Sequence, residues 1–184
     1  MKNLIIFSHP HLANSQTHRT LIDEIAELPE VKIHHLESMY PDGDIDVLAE
    51  QQACEHAERI VWQFPLYWHS CPAMLKRWQD EVFARDWAFG AKRALDGKTL
   101  QLVVSTASVG SLYDADKTIS TEVLWYPMRL TAEALGLHWQ TPLVLHDVEH
   151  LPRSPFEQQH HTAIEAFAYS YRDLLSRACL AGGI

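Results

Sequence analysis

Short uninterrupted apolar runs alternate along this chain with stretches in which apolar residues recur every three or four positions. Leu4 to Phe7 is the first run, ended by Ser8-His9-Pro10, and reads as a strand covered on both faces and followed by a loop. Leu21, Ile22, Ile25 and Leu28 then keep helical spacing until Pro29 stops it. Val31 to Leu36 predicts a short second strand, and the acidic, polar segment Pro41 to Gln52 a long connection. Arg59 to Phe64, closed by Pro65, is a third strand. Met74, Trp78 and Val82 recur at helical spacing behind Pro72, which a helix tolerates at its start. Asp96-Gly97 turns the chain into a fourth strand, Leu100 to Ser105. The helix expected over Lys117 to Leu135 contains Pro127, which predicts a kink or a late start. Trp139 to Leu145 reads as a fifth strand. Ser154-Pro155-Phe156-Glu157 has a capping-box pattern, and Ile164, Phe167, Ala168, Tyr171 and Leu175 form one face of a last helix.

Strands that are apolar throughout and alternate with helices predict an α/β fold: a five-stranded parallel sheet with helices on both faces, doubly wound and flavodoxin-like. Ligands of such sheets bind outside the carboxyl ends of the strands, where the strand order reverses. The loops after Phe7, Phe64 and Val104 are therefore the places to search for chemistry.

Composition narrows the choice. The 184 residues suit one domain over residues 1–184, and a formal charge of −9 without a Lys/Arg cluster argues against nucleic acid as a partner. Cys54, Cys71 and Cys179 are odd in number and lack C-x-x-C spacing, so neither a disulfide framework nor a zinc ribbon is expected. The first apolar run is too short for a signal peptide and no run reaches a membrane span, so a cytoplasmic protein is expected.

The first loop, Ser8 to His18, enters a helix with Ser15, Thr17 and His9 nearby, an arrangement suited to an anion such as phosphate, although Ser15 also reads as an ordinary N-cap. It lacks the G-x-G-x-x-G dinucleotide fingerprint. The second loop, Phe64 to Pro72, brackets Tyr67 and Trp68 between prolines and offers backbone donors beside aromatic walls. The third, Ser105 to Tyr113, is small and hydroxyl-rich, so a flat ligand can approach its backbone.

Trp62-Gln63-Phe64-Pro65-Leu66-Tyr67-Trp68, Pro72-Ala73-Met74-Leu75-Lys76-Arg77-Trp78 and Trp87-Ala88-Phe89-Gly90 resemble the flavodoxin-like NAD(P)H:quinone reductases, including the short subunit of glutathione-gated potassium efflux systems. The resemblance runs from Met1 to about Leu175. It implies an FMN-dependent oxidoreductase that passes hydride from NAD(P)H to a quinone-like acceptor by a two-electron ping-pong route. A regulatory flavoprotein bound to a membrane antiporter is the alternative, which would place it at the inner membrane through its partner. By the same likeness His9, Ser15, Gln16, Thr17 and His18 hold the flavin phosphate, Pro65, Leu66, Tyr67 and Trp68 line its ring, and Ser105, Thr106, Ala107 and Ser108 cover its pyrimidine side. Tyr113 matches a tyrosine that steadies charge on the flavin. FMN is expected rather than FAD, because the C-terminal extension of larger FAD members is missing from the sequence. A homodimer is expected, with Trp125, Tyr126 and Met128 in its interface.

Two positions depart from the pattern. Ala107-Ser108 stands where relatives carry Gly-Gly, so a Cβ there either forces a left-handed backbone or displaces the loop. Lys117, Thr118 and Ile119 occupy the stretch where larger members place a histidine after the tyrosine, so the likeness carries no tyrosine–histidine relay to this chain.

Other groupings read as decoys. Gly97-Lys98-Thr99 lacks the earlier glycine of a phosphate loop. His146-Asp147-Val148-Glu149-His150, His160-His161 and the alternating Asp42, Asp44 and Asp46 lack the spacing of metal sites, so no metal is expected. Cys71 reads as a packed thiol.

Overall fold

The computed structural model describes residues 2–113, 120–148 and 157–177. Its sheet is parallel, with β2 (Val31–His35), β1 (Asn3–Phe7), β3 (Arg59–Pro65) and β4 (Thr99–Ser105) in that spatial order. Beyond β4 lie two short strands, β5 (His138–Trp139) and β6 (Leu143–Leu145), each paired with a different part of it. The strand order reverses between β1 and β3, which pair Asn3 with Arg59 through Phe7 with Gln63.

The expected fifth strand is thus interrupted. Thr99 and Leu100 pair with His138 and Trp139, while Val103 to Ser105 pair with Leu143 to Leu145. At the break Pro142 has no N–H to give a ladder, and the buried Gln101 side chain donates to Thr141 O at 2.9 Å instead.

Side-chain alternation divides the sheet into two faces. Leu4, Ile6, Ile60, Trp62, Phe64, Leu100, Leu102 and Val104 join a core with α3 (Val47–His56), α4 (Ala73–Val82) and α5 (Thr121–Ala134). Ile5, Phe7, Val61 and Val103 face α1 (Gln16–Ala26) and α6 (Glu157–Ser176). Both faces are covered, which is why these strands read as continuous apolar runs.

The segment expected to be a connection, Pro41 to Gln52, holds the first part of α3. Asp46 caps it by accepting from Ala49 N at 3.0 Å, and its buried residues are Glu50, Ala53 and Cys54. A buried face made of one acid and two small residues has no apolar periodicity to read. Glu50 is tolerated there because His34 Nδ1 (2.8 Å), Tyr40 OH (2.7 Å) and Trp78 Nε1 (2.9 Å) all meet its carboxylate. After β2 the chain makes one helical turn, α2 (Leu36–Met39), where a longer strand was expected to include Leu36. The α5 helix contains Pro127 and starts at Thr121; Lys117 to Ile119 and the capping box from Ser154 lie outside the described residues.

Candidate functional site

Three loops leave the carboxyl ends of β1, β3 and β4 side by side. Backbone bonds that continue past the strands tie them: Ser8 N donates to Gln63 O at 3.1 Å and Leu66 N to Ser105 O at 2.8 Å. The structure therefore brings together the three segments singled out in the sequence.

In the first loop Ser15 is the N-cap of α1, accepting from His18 N at 3.2 Å. The remaining first-turn N–H groups have no intrahelical partner, as at any helix start. Thr17 is buried, Gln16 exposed. His9 is buried and its Nδ1 accepts from His11 N at 3.1 Å, so its ring proton sits on Nε2 and the neutral ring still presents a donor. Burial lowers the His9 pKa, against the opposing pull of Glu37. Glu37 itself was not anticipated: from α2 it accepts from Ser8 Oγ at 2.6 Å and from His9 N at 3.0 Å, holding the loop's entry.

His18 stands apart from the phosphate role assigned to it by likeness. The residue is 1% exposed and its ring nitrogens face Gln63 and Ser105. Burial, with a contribution from His9, drives its pKa down to about 3, so the ring is neutral and offers no charge to an anion.

The second loop is a tight turn in which Tyr67 and Ser70 exchange backbone hydrogen bonds at 2.9 Å. Its central residues, Trp68 and His69, sit at φ of 48° and 62°, the left-handed region that two successive residues occupy in a type I′ turn. Neither is glycine, so the turn stores strain of the kind found at ligand sites. Trp68 is 93% exposed, while Pro65 is buried and Leu66 half-buried.

The third loop is bound to the end of β6. Thr106 N donates to Leu145 O at 2.8 Å, Asp147 N to Ser108 O at 3.1 Å and Val148 N to Thr106 O at 3.0 Å. Ala107 and Ser108 are not in the left-handed region, so the first of the two routes expected for the missing glycines is not taken. Thr106 Oγ1 donates to Ser108 O at 2.8 Å and lies 2.8 Å from His146 Nδ1. A carbonyl can only accept, so the hydroxyl proton goes to Ser108 and His146 Nδ1–H must be the donor to Thr106. The imidazole of His146 stacks on the buried ring of Tyr113, centroids 5.6 Å apart.

Tyr113 thus has a histidine neighbour after all, supplied by the strand end and not by the segment that follows the tyrosine. His146 stands at a fourth strand end, after β6, so the signal that could have found it is the same carboxyl-end position that marks the other three loops. Among the described residues no group of three or more His, Cys, Asp or Glu is placed to hold a metal ion.

The family model for the flavodoxin-like fold matches residues 1–169. The glutathione-regulated potassium-efflux system ancillary protein KefF of Enterobacter sp. (strain 638) is 40% identical over 144 residues, 78% of this chain and 82% of the relative. General stress protein 14 of Bacillus subtilis (strain 168) is 40% identical over 153 residues, 82% of this chain and 87% of the relative. Among solved structures, the general stress protein 14 of Treponema denticola in complex with FMN superposes with a TM-score of 0.86 at 34% identity, covering 95% of this chain and 98% of the other. An NADPH-quinone reductase from P. pentosaceus superposes with a TM-score of 0.84 at 30% identity, covering 97% and 100%. With its sheet order, its strand-end loops and these matches, the chain belongs to the flavodoxin-like family.

Proposed function

We propose that this protein is an FMN-dependent NAD(P)H:quinone oxidoreductase that works by two-electron, ping-pong transfer. The observation that carries the reading is the meeting, at one sheet edge, of a capped helix start, a strained turn bearing an exposed tryptophan, and a hydroxyl-rich loop fastened to β6. These residues fit a flavin mononucleotide: His9 and the α1 start, with Ser15, Gln16 and Thr17, offer donors to its phosphate. Pro65, Leu66, Tyr67 and Trp68 offer walls and backbone groups to the ring, and Ser105 to Ser108 offer small polar groups to its pyrimidine edge. The FMN in the Treponema relative and the reductase name of the P. pentosaceus protein support the same reading.

FMN held by these residues would supply two-electron chemistry between NAD(P)H as hydride donor and a quinone as acceptor. The chain's part is to hold, orient and shield. Tyr113 and His146 form a stacked pair beside the pyrimidine loop, where a phenol hydroxyl can donate to charge that develops on the ring. The test is to purify the protein, extract and identify any flavin, and follow NAD(P)H oxidation with a soluble quinone. A flavin-loaded protein that oxidises about one equivalent of NAD(P)H per flavin without quinone, and turns over continuously only when quinone is present, supports the reading; a protein that binds no flavin ends it.

A second reading rests on the 40% identity to KefF: a flavin-binding regulatory subunit seated on a potassium-efflux antiporter, at the membrane only through that partner. Among the described residues no helix is long and apolar enough to cross a membrane. Co-purification with the transporter, dependent on flavin occupancy, distinguishes this role.

The homodimer also belongs to this proposal, with a corrected face. Trp125 and Met128 are buried within the chain, while Val123, Tyr126 and Leu130, which recur along one side of α5, are exposed. That exposed stripe is where a second copy would close.

A further inference from the structure

We infer that His18 is a positioning residue that aims the Ser105 hydroxyl, as a hydrogen-bond donor, at an acceptor atom of the flavin ring system. The inference rests on the FMN reading above. It starts from the place of His18 beneath three strand ends. Its ring stacks on Phe7 of β1 at 5.5 Å and 24°. Its Nδ1 lies 3.3 Å from Gln63 Nε2 of β3, and its Nε2 lies 2.9 Å from Ser105 Oγ of β4.

The direction of each bond follows from valence with the Gln63 amide standing nitrogen-first against Nδ1, the orientation on which the tautomer depends. An amide nitrogen donates and cannot accept, so His18 Nδ1 carries the lone pair and the ring proton is on Nε2. Nε2–H then donates to Ser105 Oγ. The serine's own proton is left over, and among the described residues its hydroxyl donates to no protein group. Buried hydroxyl protons are rarely left without an acceptor. Ser105 ends β4 and begins the loop assigned to the pyrimidine edge, where a flavin presents carbonyl oxygens and bare ring nitrogens. The side-chain oxygen of Gln63, buried without a partner among the described residues, marks a second polar group beside it.

The neutral ring is what makes the aim one-way. A charged imidazole would donate from both nitrogens and lose Gln63; burial, helped by His9 edge-on at 5.0 Å, keeps the ring neutral. An apolar side chain at this position would leave the serine free to turn toward any local carbonyl.

Two measurements test this. In apo-protein with isotope-labelled histidine, the His18 imidazole, assigned by its loss in His18→Phe, is expected to carry its proton on Nε2 and to stay unchanged from about pH 5 to pH 8. In FMN titrations Ser105→Ala and His18→Phe are each expected to weaken binding about tenfold, and the double variant no further than either single, since all remove one hydrogen bond. His18→Gln keeps an amide donor near the reach of Nε2 and is expected to restore most of the loss. A ring protonated on Nδ1, a ring that titrates in that range, or unchanged FMN affinity in Ser105→Ala overturns the inference while leaving the oxidoreductase reading intact. Wild-type protein that binds no FMN overturns both. If His18→Phe does not fold, the imidazole is assigned by its loss in His18→Gln, and the wild-type tautomer with the Ser105→Ala titration still decides.

Discussion

Tyr113 and His146, distant in sequence, lie ring on ring with planes 26° apart, and the hydroxyl of Thr106 holds the histidine by its Nδ1. The pair joins two strand ends, because Thr106 follows β4 and His146 follows β6. Replacing His146 by Phe keeps an aromatic against Tyr113 but removes the donor to Thr106. Quinone reduction is expected to fall by about tenfold, the worth of one hydrogen bond of ~1–1.5 kcal/mol, with the apo-protein still folded by circular dichroism. An unchanged rate would remove His146 from the working site.

The same histidine sets a pH dependence. Burial lowers its pKa in the folded state, so between that value and the ordinary ~6.5 the unfolded chain binds more protons. Its contribution to stability is therefore complete above ~6.5 and declines as pH falls through that range. Denaturant melts of wild type and His146→Phe across mildly acidic pH should converge on acidification; parallel curves would contradict the assignment.

Gly110 lies against this pair. A Cβ there would come 3.2 Å from His146 Cδ2, closer than ordinary carbon contact. Gly110→Ala is expected to weaken FMN binding a few-fold by pushing His146 off Tyr113, at a stability cost within ~1 kcal/mol, and both are read by fluorescence titration and thermal melting.

Glu50 provides a control outside the cleft. Burial pushes its pKa up, but hydrogen bonds from His34 and Tyr40, with the His34 charge and Trp78, bring it below the usual value. Such a depressed carboxylate stabilises the fold above its unfolded pKa, and the stabilisation is lost as pH falls through the folded one. Glu50→Leu strands His34, Tyr40 and Trp78 and should destabilise by ~3 kcal/mol or more near neutral pH, with FMN affinity of the folded fraction unchanged. A loss below ~1 kcal/mol would show that the network is not holding α3 in place.

Ala107→Gly separates two accounts of the third loop. Since Ala107 is not in the left-handed region, glycine adds freedom to the unfolded chain without relieving strain. FMN affinity is expected to stay level or fall, and stability to drop by ~0.4–1 kcal/mol in melting experiments. Tighter binding would mean that the Cβ of Ala107 does displace the loop from the cofactor.

The order of elements, the parallel sheet and the three strand-end loops were legible in the sequence because strands covered on both faces are apolar at most positions, whatever packs against them. Local signals also sufficed for the Ser15 cap, whereas Pro127 does not set the start of α5, which begins at Thr121 and carries the proline inside it. What the sequence withheld shares one physical cause: a polar side chain reads as exposed until its partners are known. Glu50 hid α3 because its burial depends on His34, Tyr40 and Trp78, which come from three other elements. His18 read as a phosphate ligand because nothing nearby in the chain shows that Gln63 and Ser105 will enclose it. His146 reaches Tyr113 only through the pairing of β6 with β4, a contact between segments far apart along the chain. Apolar runs and caps are local properties of a sequence; the partner that makes a buried polar group affordable is chosen by the tertiary structure.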